Sequence, residues 1–115
     1  MCADLSLVEQ VYALARSLYV QTATFSAVEK DMLGRQIRET VADLTALTTD
    51  AVTTDDPAER QETLRQAGIA CIRVGVLLRL AADVGELYEP ELAERLAHLK
   101  AVDEGLAHER RSVRR

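Results

Sequence analysis

Apolar residues recur with the period of an α-helix along nearly the whole chain, and this pattern constrains the fold more than any other feature of the sequence. The 115 residues include five glycines and two prolines, too few turn-forming residues for a fold of many strands. The chain is 48% apolar and 29% charged, which is typical of a globular protein. We therefore expect an all-α fold in which residues 1–115 form a single domain.

The pattern divides into four predicted helices, at about residues 5–22, 26–52, 57–87 and 90–110. The expected core positions lie on one stripe of the first, second and fourth helices: Leu7, Val8, Val11, Leu14, Ala15 and Leu18; Met32, Leu33, Ile37, Val41, Leu44 and Leu47; Leu92, Leu96, Leu99, Val102 and Leu106. Short connections between long helices favour an antiparallel up-down-up-down four-helix bundle. We expect residues 110–115 to form a flexible basic tail.

Two of the helix starts carry recognisable caps. Ser26 and Glu29 have the spacing of a capping box, in which each side chain accepts a hydrogen bond from the backbone N–H of the other residue. Phe25, just before this cap, is placed to act as a hydrophobic staple. Asp56 can cap the third helix, and Pro57 suits its first turn because the N–H that proline lacks has no partner there. The caps place turns just before the second and third helices.

The third predicted helix is apolar around nearly its whole circumference. Its apolar residues from 69 to 84 include Ile69, Cys71, Ile72, Val74, Val76, Leu77, Leu78, Leu80, Ala81 and Val84. A helix at the edge of a four-helix bundle buries one stripe, so a second apolar face needs a second partner. We expect a homo-oligomer with Ile72, Val76 and Leu80 at the interface. Gly68 and Gly75 either permit a close approach of two backbones or are small residues that the helix tolerates.

The charges are unevenly distributed. A formal net charge of -5 argues against a general nucleic-acid binder. The last six residues nevertheless include four arginines, which either bind phosphate or form a solvated end: Arg110, Arg111, Arg114 and Arg115. A second basic group, on the second helix, comprises Lys30, Arg35 and Arg38. Arg35 can instead pair with Glu39, four residues further along the helix.

Arg73 and Arg79 interrupt the apolar third helix. An unpaired buried cation costs several kcal/mol, so each needs a carboxylate, a carbonyl or a water-lined channel. Asp83 is placed to pair with Arg79 within the helix. In an oligomeric ring, the channel or the boundary between subunits is the best location for both arginines.

The sequence holds no recognisable catalytic or metal-binding motif. His98 and His108 are the two histidines, and each follows a glutamate, Glu94 or Glu104, by four residues. Di-iron bundles instead use Glu-x-x-His on two helices together with two further glutamates. Phosphate-binding, nucleophile and zinc motifs are also missing. We expect a protein that is not an enzyme and that takes no metal, cofactor or small-molecule substrate.

Cysteine usage and hydropathy predict a cytoplasmic protein with no membrane association. Cys2 and Cys71 lack CxxC spacing, and we expect Cys71 to be a small buried apolar residue. Unpaired cysteines fit a reducing compartment. The N-terminus lacks the features of a signal or transit peptide. The most apolar stretch, residues 69–84, is interrupted by three charged residues and is too short to span a membrane.

Two segments resemble a family of small bacterial helical bundles. Residues 25–38, FSAVEKDMLGRQIR, are similar to the family pattern of Phe, an acidic-basic turn and L-G/T-x-x-I-R. Residues 64–96, LRQAGIACIRVGVLLRLAADVGELYEPELAERL, are similar to a family segment of recurring Leu and Ala that ends in L-G-x-L and a further helix. The family is the four-helix-bundle superfamily that joins the accessory variability determinants (Avd) of diversity-generating retroelements with proteins encoded in intervening sequences of ribosomal RNA genes.

The resemblance implies four antiparallel helices assembled into a barrel-like homopentamer. For the retroelement branch it implies a non-catalytic partner of a reverse transcriptase that also binds the template RNA. The matching segments carry candidate contacts to nucleic acid or polymerase at Arg35, Arg38, Arg73 and Arg79, to which the basic tail adds Arg110 and Arg111. The alternative is the ribosomal intervening-sequence branch, an oligomeric interaction module that binds a protein partner and no nucleic acid.

Overall fold

The computed structural model describes residues 5–113, which form five helices and no strand. The helices are α1 (Leu5–Thr22), α2 (Ala27–Asp31), α3 (Leu33–Thr53), α4 (Pro57–Asp83) and α5 (Glu89–Val113). The four long helices pack against one another in a body of 45 × 23 × 19 Å. This confirms the prediction of an all-α fold built on four packed helices. Cys2, Arg114 and Arg115 lie outside the described residues.

The core is formed largely by the predicted apolar stripes. Its buried side chains from α1, α3 and α5 are Leu7, Val11, Leu14 and Leu18; Ile37, Val41 and Leu44; Leu99, Val102 and Leu106. The inner face of α4 adds Leu64, Val74 and Leu78. Leu33, Leu47, Leu92 and Leu96 are partly buried against this core. The assignment of Met32 to the core is wrong, because its side chain is exposed at the break between α2 and α3.

The second predicted helix is broken at Met32 into the short α2 and the long α3. At the break, the carbonyl of Lys30 accepts a hydrogen bond from Arg38 Nη2 at 3.1 Å. Arg38 Nη1 also donates to Thr22 Oγ1 at 3.2 Å. A Cβ at the buried Gly34 would lie 3.1 Å from the same guanidinium, so the turn packs closely here. The prediction of one continuous helix is wrong because an arginine side chain satisfies a carbonyl that a helix would otherwise pair.

The N-terminal cap of α2 combines a local and a distant partner. Ser26 Oγ accepts a hydrogen bond from the N–H of Glu29 at 3.5 Å, as the capping box predicts. The backbone N–H of Ser26 donates to Glu86 Oε1 at 2.7 Å, and its hydroxyl donates to Glu86 Oε2 at 3.0 Å. The second half of the predicted box is therefore wrong, since Glu86 takes the place of Glu29. Phe25 is buried in the core beside Gly34.

The two ends of α4 are determined by residues adjacent to them in the sequence. Its start at Pro57 is as predicted, with the Asp56 side chain as the cap. At its other end Gly85 adopts a φ of +86°, and the N–H of Glu86 donates to the carbonyl of Ala81 at 2.8 Å. This is a Schellman motif, in which a residue in the left-handed conformation ends the helix. The helix therefore ends four residues earlier than predicted.

Helix α5 continues beyond its predicted end at Arg110 as far as Val113. The hydroxyl of Ser112 donates to the carbonyl of His108 at 3.2 Å within the last turn. Residues 110–113 are therefore helical, and the flexibility expected for residues 110–115 remains a prediction.

A close approach of two helices does occur at a glycine, although not at either of the predicted ones. A Cβ at Gly105 of α5 would come within 2.7 Å of Leu7 Cδ1 on α1. At Gly75, a Cβ would meet Leu99 Cδ2 at 3.5 Å, which is ordinary contact, and at Gly68 it would meet a flexible arginine side chain. Within this chain, Gly75 is thus a tolerated small residue.

Candidate functional site

The outer face of α4 carries a row of exposed apolar side chains, the α4 ridge, which consists of Ile69, Ile72, Val76 and Leu80, with Val84 at the C-cap of the helix. Ile72 is 68% exposed and Leu80 is 44% exposed. Eight residues on the opposite side of the same helix are buried. The prediction that this helix is apolar on two faces is confirmed. The three predicted interface residues, Ile72, Val76 and Leu80, all lie on the ridge, and association through them remains a prediction.

Grooves run along both sides of the α4 ridge. The α3–α4 groove has a volume of about 470 Å³ and is lined by Gln36, Glu39, Thr40, Ile72, Arg73, Val76 and Leu77. The α4–α5 groove has a volume of about 530 Å³ and is lined by Cys71, Ile72, Gly75, Val76, Arg79, Leu96, Leu99, Lys100 and Asp103. Ile72 and Val76 line both grooves, so they form the crest between them.

The α4–α5 groove is basic although the protein is acidic. Arg79 lines it from α4 and Lys100 from α5, with Asp103 as the one carboxylate among the lining residues. Arg110 adds positive charge further along α4, where its Nη1 atom lies 3.1 Å from the position that a Cβ would take at Gly68. None of these three cations forms an ion pair with any residue from 5 to 113. Their charges are therefore available to an anionic ligand.

Arg73 and Arg79 lie at the two edges of the α4 ridge. Both are exposed, Arg73 on the α3 side and Arg79 on the α5 side. The predicted ion pair between Arg79 and Asp83 is wrong, since no pair forms within 4.0 Å. The expectation that each arginine needs a carboxylate, a carbonyl or a water-lined channel is wrong, because both residues are exposed rather than buried.

The basic residues of α3 are engaged within the fold. Arg35 pairs with Asp31 at 2.5 Å, so the predicted pair with Glu39 is wrong. The hydrogen bond and charge of Asp31 raise the pKa of the Arg35 guanidinium. Arg38 is half-buried and holds the break between α2 and α3, as described above. Arg73, Arg79 and Arg111 are exposed and have no ion-pair partner among the described residues, whereas Arg35 is paired and Arg38 is held in the turn; Arg110 is half-buried.

Cys71 lines the α4–α5 groove and is buried, as predicted for a small apolar residue. Burial and the nearby Asp103 carboxylate raise the pKa of the thiol to about 12, which the charge of Arg110 offsets only in part. The thiol is therefore neutral at physiological pH, and it is not an activated nucleophile.

A further apolar groove lies between α1 and α3, and no pattern in the sequence predicted it. This tyrosine groove has a volume of about 530 Å³ and is lined by Tyr12, Ala15, Arg16, Tyr19, Ala42, Thr45 and Ala46. The Arg16 guanidinium lies 5.8 Å from the centre of the Tyr12 ring. The signal in the sequence is the seven-residue spacing of the two tyrosines, which places both on one face of α1, outside the core stripe.

Two kinds of site are absent from the part of the chain that the structure describes. No three His, Cys, Asp or Glu side chains there converge in a way that could hold a metal ion. His98 Nε2 lies 3.2 Å from the carbonyl oxygen of Gln10, and His108 is exposed. None of the helices between residues 5 and 113 is long and apolar enough to cross a membrane.

Comparisons with known proteins find no relative of this chain. No protein-family model, no curated protein sequence and no solved structure matches it. The resemblance of residues 25–38 and 64–96 to the four-helix-bundle superfamily therefore remains a prediction from the sequence.

Proposed function

We propose that the protein is a non-catalytic, self-associating accessory protein of a diversity-generating retroelement, which binds the template RNA together with a reverse transcriptase. The observation that carries this proposal is the basic α4–α5 groove, with Arg79 and Lys100 on its two walls and Arg110 further along. Cations without an ion-pair partner are the groups that contact phosphates most readily. Their clustering offers RNA a basic surface on a protein whose net charge is -5.

The proposed assembly is a homo-oligomer of four-helix protomers. Short connections at residues 23–26, 54–56 and 84–88 favour helices that alternate in direction, up-down-up-down. The exposed α4 ridge supports association of copies, because large exposed apolar patches mark interaction surfaces. The resemblance implies five copies in a barrel. The mass of the purified protein, measured by light scattering, gives the number of copies.

An RNA titration tests the proposed interface. Fluorescence anisotropy with a structured RNA, alone and with a candidate reverse transcriptase, is measured at low and at near-physiological salt. We expect an affinity that falls steeply as salt rises, because phosphate contacts release counterions. Arg79→Glu combined with Lys100→Glu should raise the Kd about tenfold or more and should lower the slope of log Kd against log salt by about two.

The matched control is Arg16→Glu combined with Lys30→Glu. It changes the net charge by the same amount, on helices that do not line the α4–α5 groove. We expect it to leave the Kd close to that of the unmodified protein. Equal weakening by both double variants would show that RNA responds to total charge and would contradict the groove as the interface. If the unmodified protein binds no RNA, either alone or with the polymerase, the proposed function is wrong.

A second function, of a different class, is favoured by the tyrosine groove. An interaction module of the ribosomal intervening-sequence type would bind a protein partner and no nucleic acid. The groove is apolar, and exposed carboxylates on α3, at Asp43 and Asp50, would repel phosphates nearby. Three results together would favour this function over the first. A protein partner is recovered without RNA, Ala46→Arg abolishes its binding, and Arg79→Glu combined with Lys100→Glu leaves its binding unchanged.

A further inference from the structure

We propose that the α4 ridge of one copy of this chain packs into the tyrosine groove of the next copy, so that the copies join head to tail around a ring. The inference rests on the self-association proposed above and names the surface that receives the ridge. Ridge and groove lie on different sides of the bundle, because α4 lines no part of the tyrosine groove. A contact between two different surfaces leaves one of each free on every pair, so it continues from copy to copy until a ring closes.

The two surfaces are complementary in shape and in polarity. The ridge presents branched apolar side chains, of which Ile72 is 68% exposed. The groove is lined by three alanines together with two half-exposed tyrosine rings: Ala15, Ala42, Ala46, Tyr12 and Tyr19. Small side chains leave space between two helices, and a ridge of a third helix packs into such a space. Packing the ridge into the groove therefore removes apolar surface of both copies from water.

The order of the helices around the bundle determines which sides meet. Both α1 and α4 pack mainly against α3 and α5, so α1, α3, α4 and α5 follow one another around the bundle. In a ring whose axis runs along the helices, every copy has this order in the same sense of rotation. Where two copies touch, the two orders therefore run in opposite directions. The α3 side of the incoming α4 then lies against α3 of the receiving copy, and its α5 side lies against α1.

The charges at this contact are opposite. Arg73 lies on the α3 side of the ridge, so it faces α3 of the receiving copy. The exposed face of that helix carries Glu39 and Asp43, and Asp43 is adjacent in sequence to Ala42 of the groove. Arg73 and Asp43 have no ion-pair partner among residues 5–113. An ion pair between them across the contact satisfies both charges and favours this orientation.

The α3–α4 groove indicates the height at which the copies meet. It is lined by Ile72 and Arg73 from α4 and by Glu39 from α3, which therefore lie at similar heights in the bundle. Copies related by rotation alone keep their heights. Arg73 of one copy is then level with Glu39 of the next copy and about 6 Å along the helix from Asp43, a distance that a long arginine side chain spans. Ile72 enters the groove at the end marked by Ala42.

Mixing two variants tests a head-to-tail contact directly. Ile72→Asp places a carboxylate on the ridge and keeps the groove, whereas Ala46→Arg fills the groove and keeps the ridge; both positions are exposed. In sedimentation equilibrium, each variant alone should be a single chain of 12.7 kDa. An equimolar mixture should form pairs and no larger species, because one intact ridge and one intact groove remain to meet. The unmodified protein should form an assembly of more than two chains.

Ala97→Arg is the matched control for Ala46→Arg. Ala97 is exposed on α5 and lines none of the three grooves, so this variant should keep the mass of the unmodified assembly. Circular dichroism shows whether each variant keeps its helices. Ile72→Ser and Ala42→Arg repeat the test if either first choice loses them.

The mixed pair also tests the ion pair, because its two copies contribute different surfaces. The Ala46→Arg copy supplies the ridge, and the Ile72→Asp copy supplies the groove. Asp43→Arg added to the copy that supplies the groove should raise the dissociation constant of the pair about tenfold, because an attraction becomes a repulsion. Arg73→Glu added to the copy that supplies the ridge should then restore the constant. Asp43→Arg placed in the ridge copy instead lies away from the contact and should have no effect.

Three results would overturn the inference. These are a mixture that forms no pairs, an unmodified protein of only two chains, and an equal effect of Asp43→Arg in either copy of the mixed pair. An assembly that survives in both single variants would overturn this contact but would leave the proposed self-association standing. A single chain at every concentration of the unmodified protein would overturn both. RNA binding in the α4–α5 groove is decided separately, by the titration described above.

Discussion

Neighbouring residues of α4 behave differently because their surroundings differ. Cys71 and Arg73 are two residues apart, yet Cys71 is buried beside the α4–α5 groove and Arg73 is exposed at the edge of the ridge. Burial in a medium of low dielectric disfavours the charged form, so the thiol retains its proton. The Arg73 guanidinium, by contrast, is exposed and has no ion-pair partner among the described residues. One residue therefore contributes to the core, and the other is available to a partner.

The raised pKa of Cys71 should make the free energy of unfolding depend on pH above pH 9. The thiol ionises near 12 in the folded protein and near 9.0 in the unfolded chain. Stability that is fully present below pH 9 should therefore fall as the pH rises towards 12, by at most about 1.4 kcal/mol per pH unit. Urea unfolding of the protein and of Cys71→Ala isolates this contribution. A difference between the two that stays constant across this pH range would contradict the raised pKa.

At the scale of helices and their connections, some helix ends are determined by residues adjacent in sequence and others by residues far away in the chain. The start of α4 and its end at Gly85 follow from residues adjacent in sequence, Asp56 and Pro57 in one case and a single glycine in the other. The break at Met32 depends instead on Arg38, which reaches back to a carbonyl and to the end of α1. The start of α4 was predicted from its neighbours in sequence, and its end was placed four residues too late because the role of Gly85 was missed. The break at Met32 depends on a distant contact that no local pattern predicts.

Glu86 connects two distant turns and should contribute measurably to stability. Its carboxylate accepts two hydrogen bonds from Ser26 at the start of α2. Glu86→Ala should lower the free energy of unfolding by about 1 kcal/mol, the usual contribution of a helix cap. Glu104→Ala, at an exposed glutamate of α5 without a described partner, should change it by less than about 0.5 kcal/mol. Equal losses in urea titrations of the two variants would show that Glu86 has no special role.

At the scale of the whole molecule, the core and the α4 ridge are separable. The core closes on the inner face of α4, and the outer face takes no part in it. Substitutions on the ridge should therefore alter association between copies without unfolding the chain. This separation makes the proposed assembly open to direct test.

Val76→Asp and Leu80→Asp should each convert the assembly into single chains. Their side chains are 52% and 44% exposed, so the thermal unfolding midpoint should change little, while a carboxylate on the ridge opposes its burial between copies. Val28→Asp makes the same change at an exposed position of α2 and should leave the mass unchanged. Persistence of the full assembly in both ridge variants, measured by light scattering, would place the contact elsewhere.

The four long helices, their inner faces and the second apolar face of α4 were all predictable from the amino-acid pattern. They were predictable because helical period and capping depend on residues that are close together in the chain. Which cations are open to a ligand depends on contacts between distant segments: Arg38 is held by Thr22 and Lys30, whereas Arg79 has no described partner. The α4–α5 groove and the tyrosine groove likewise exist only where two helices meet, because their walls come from segments distant in sequence.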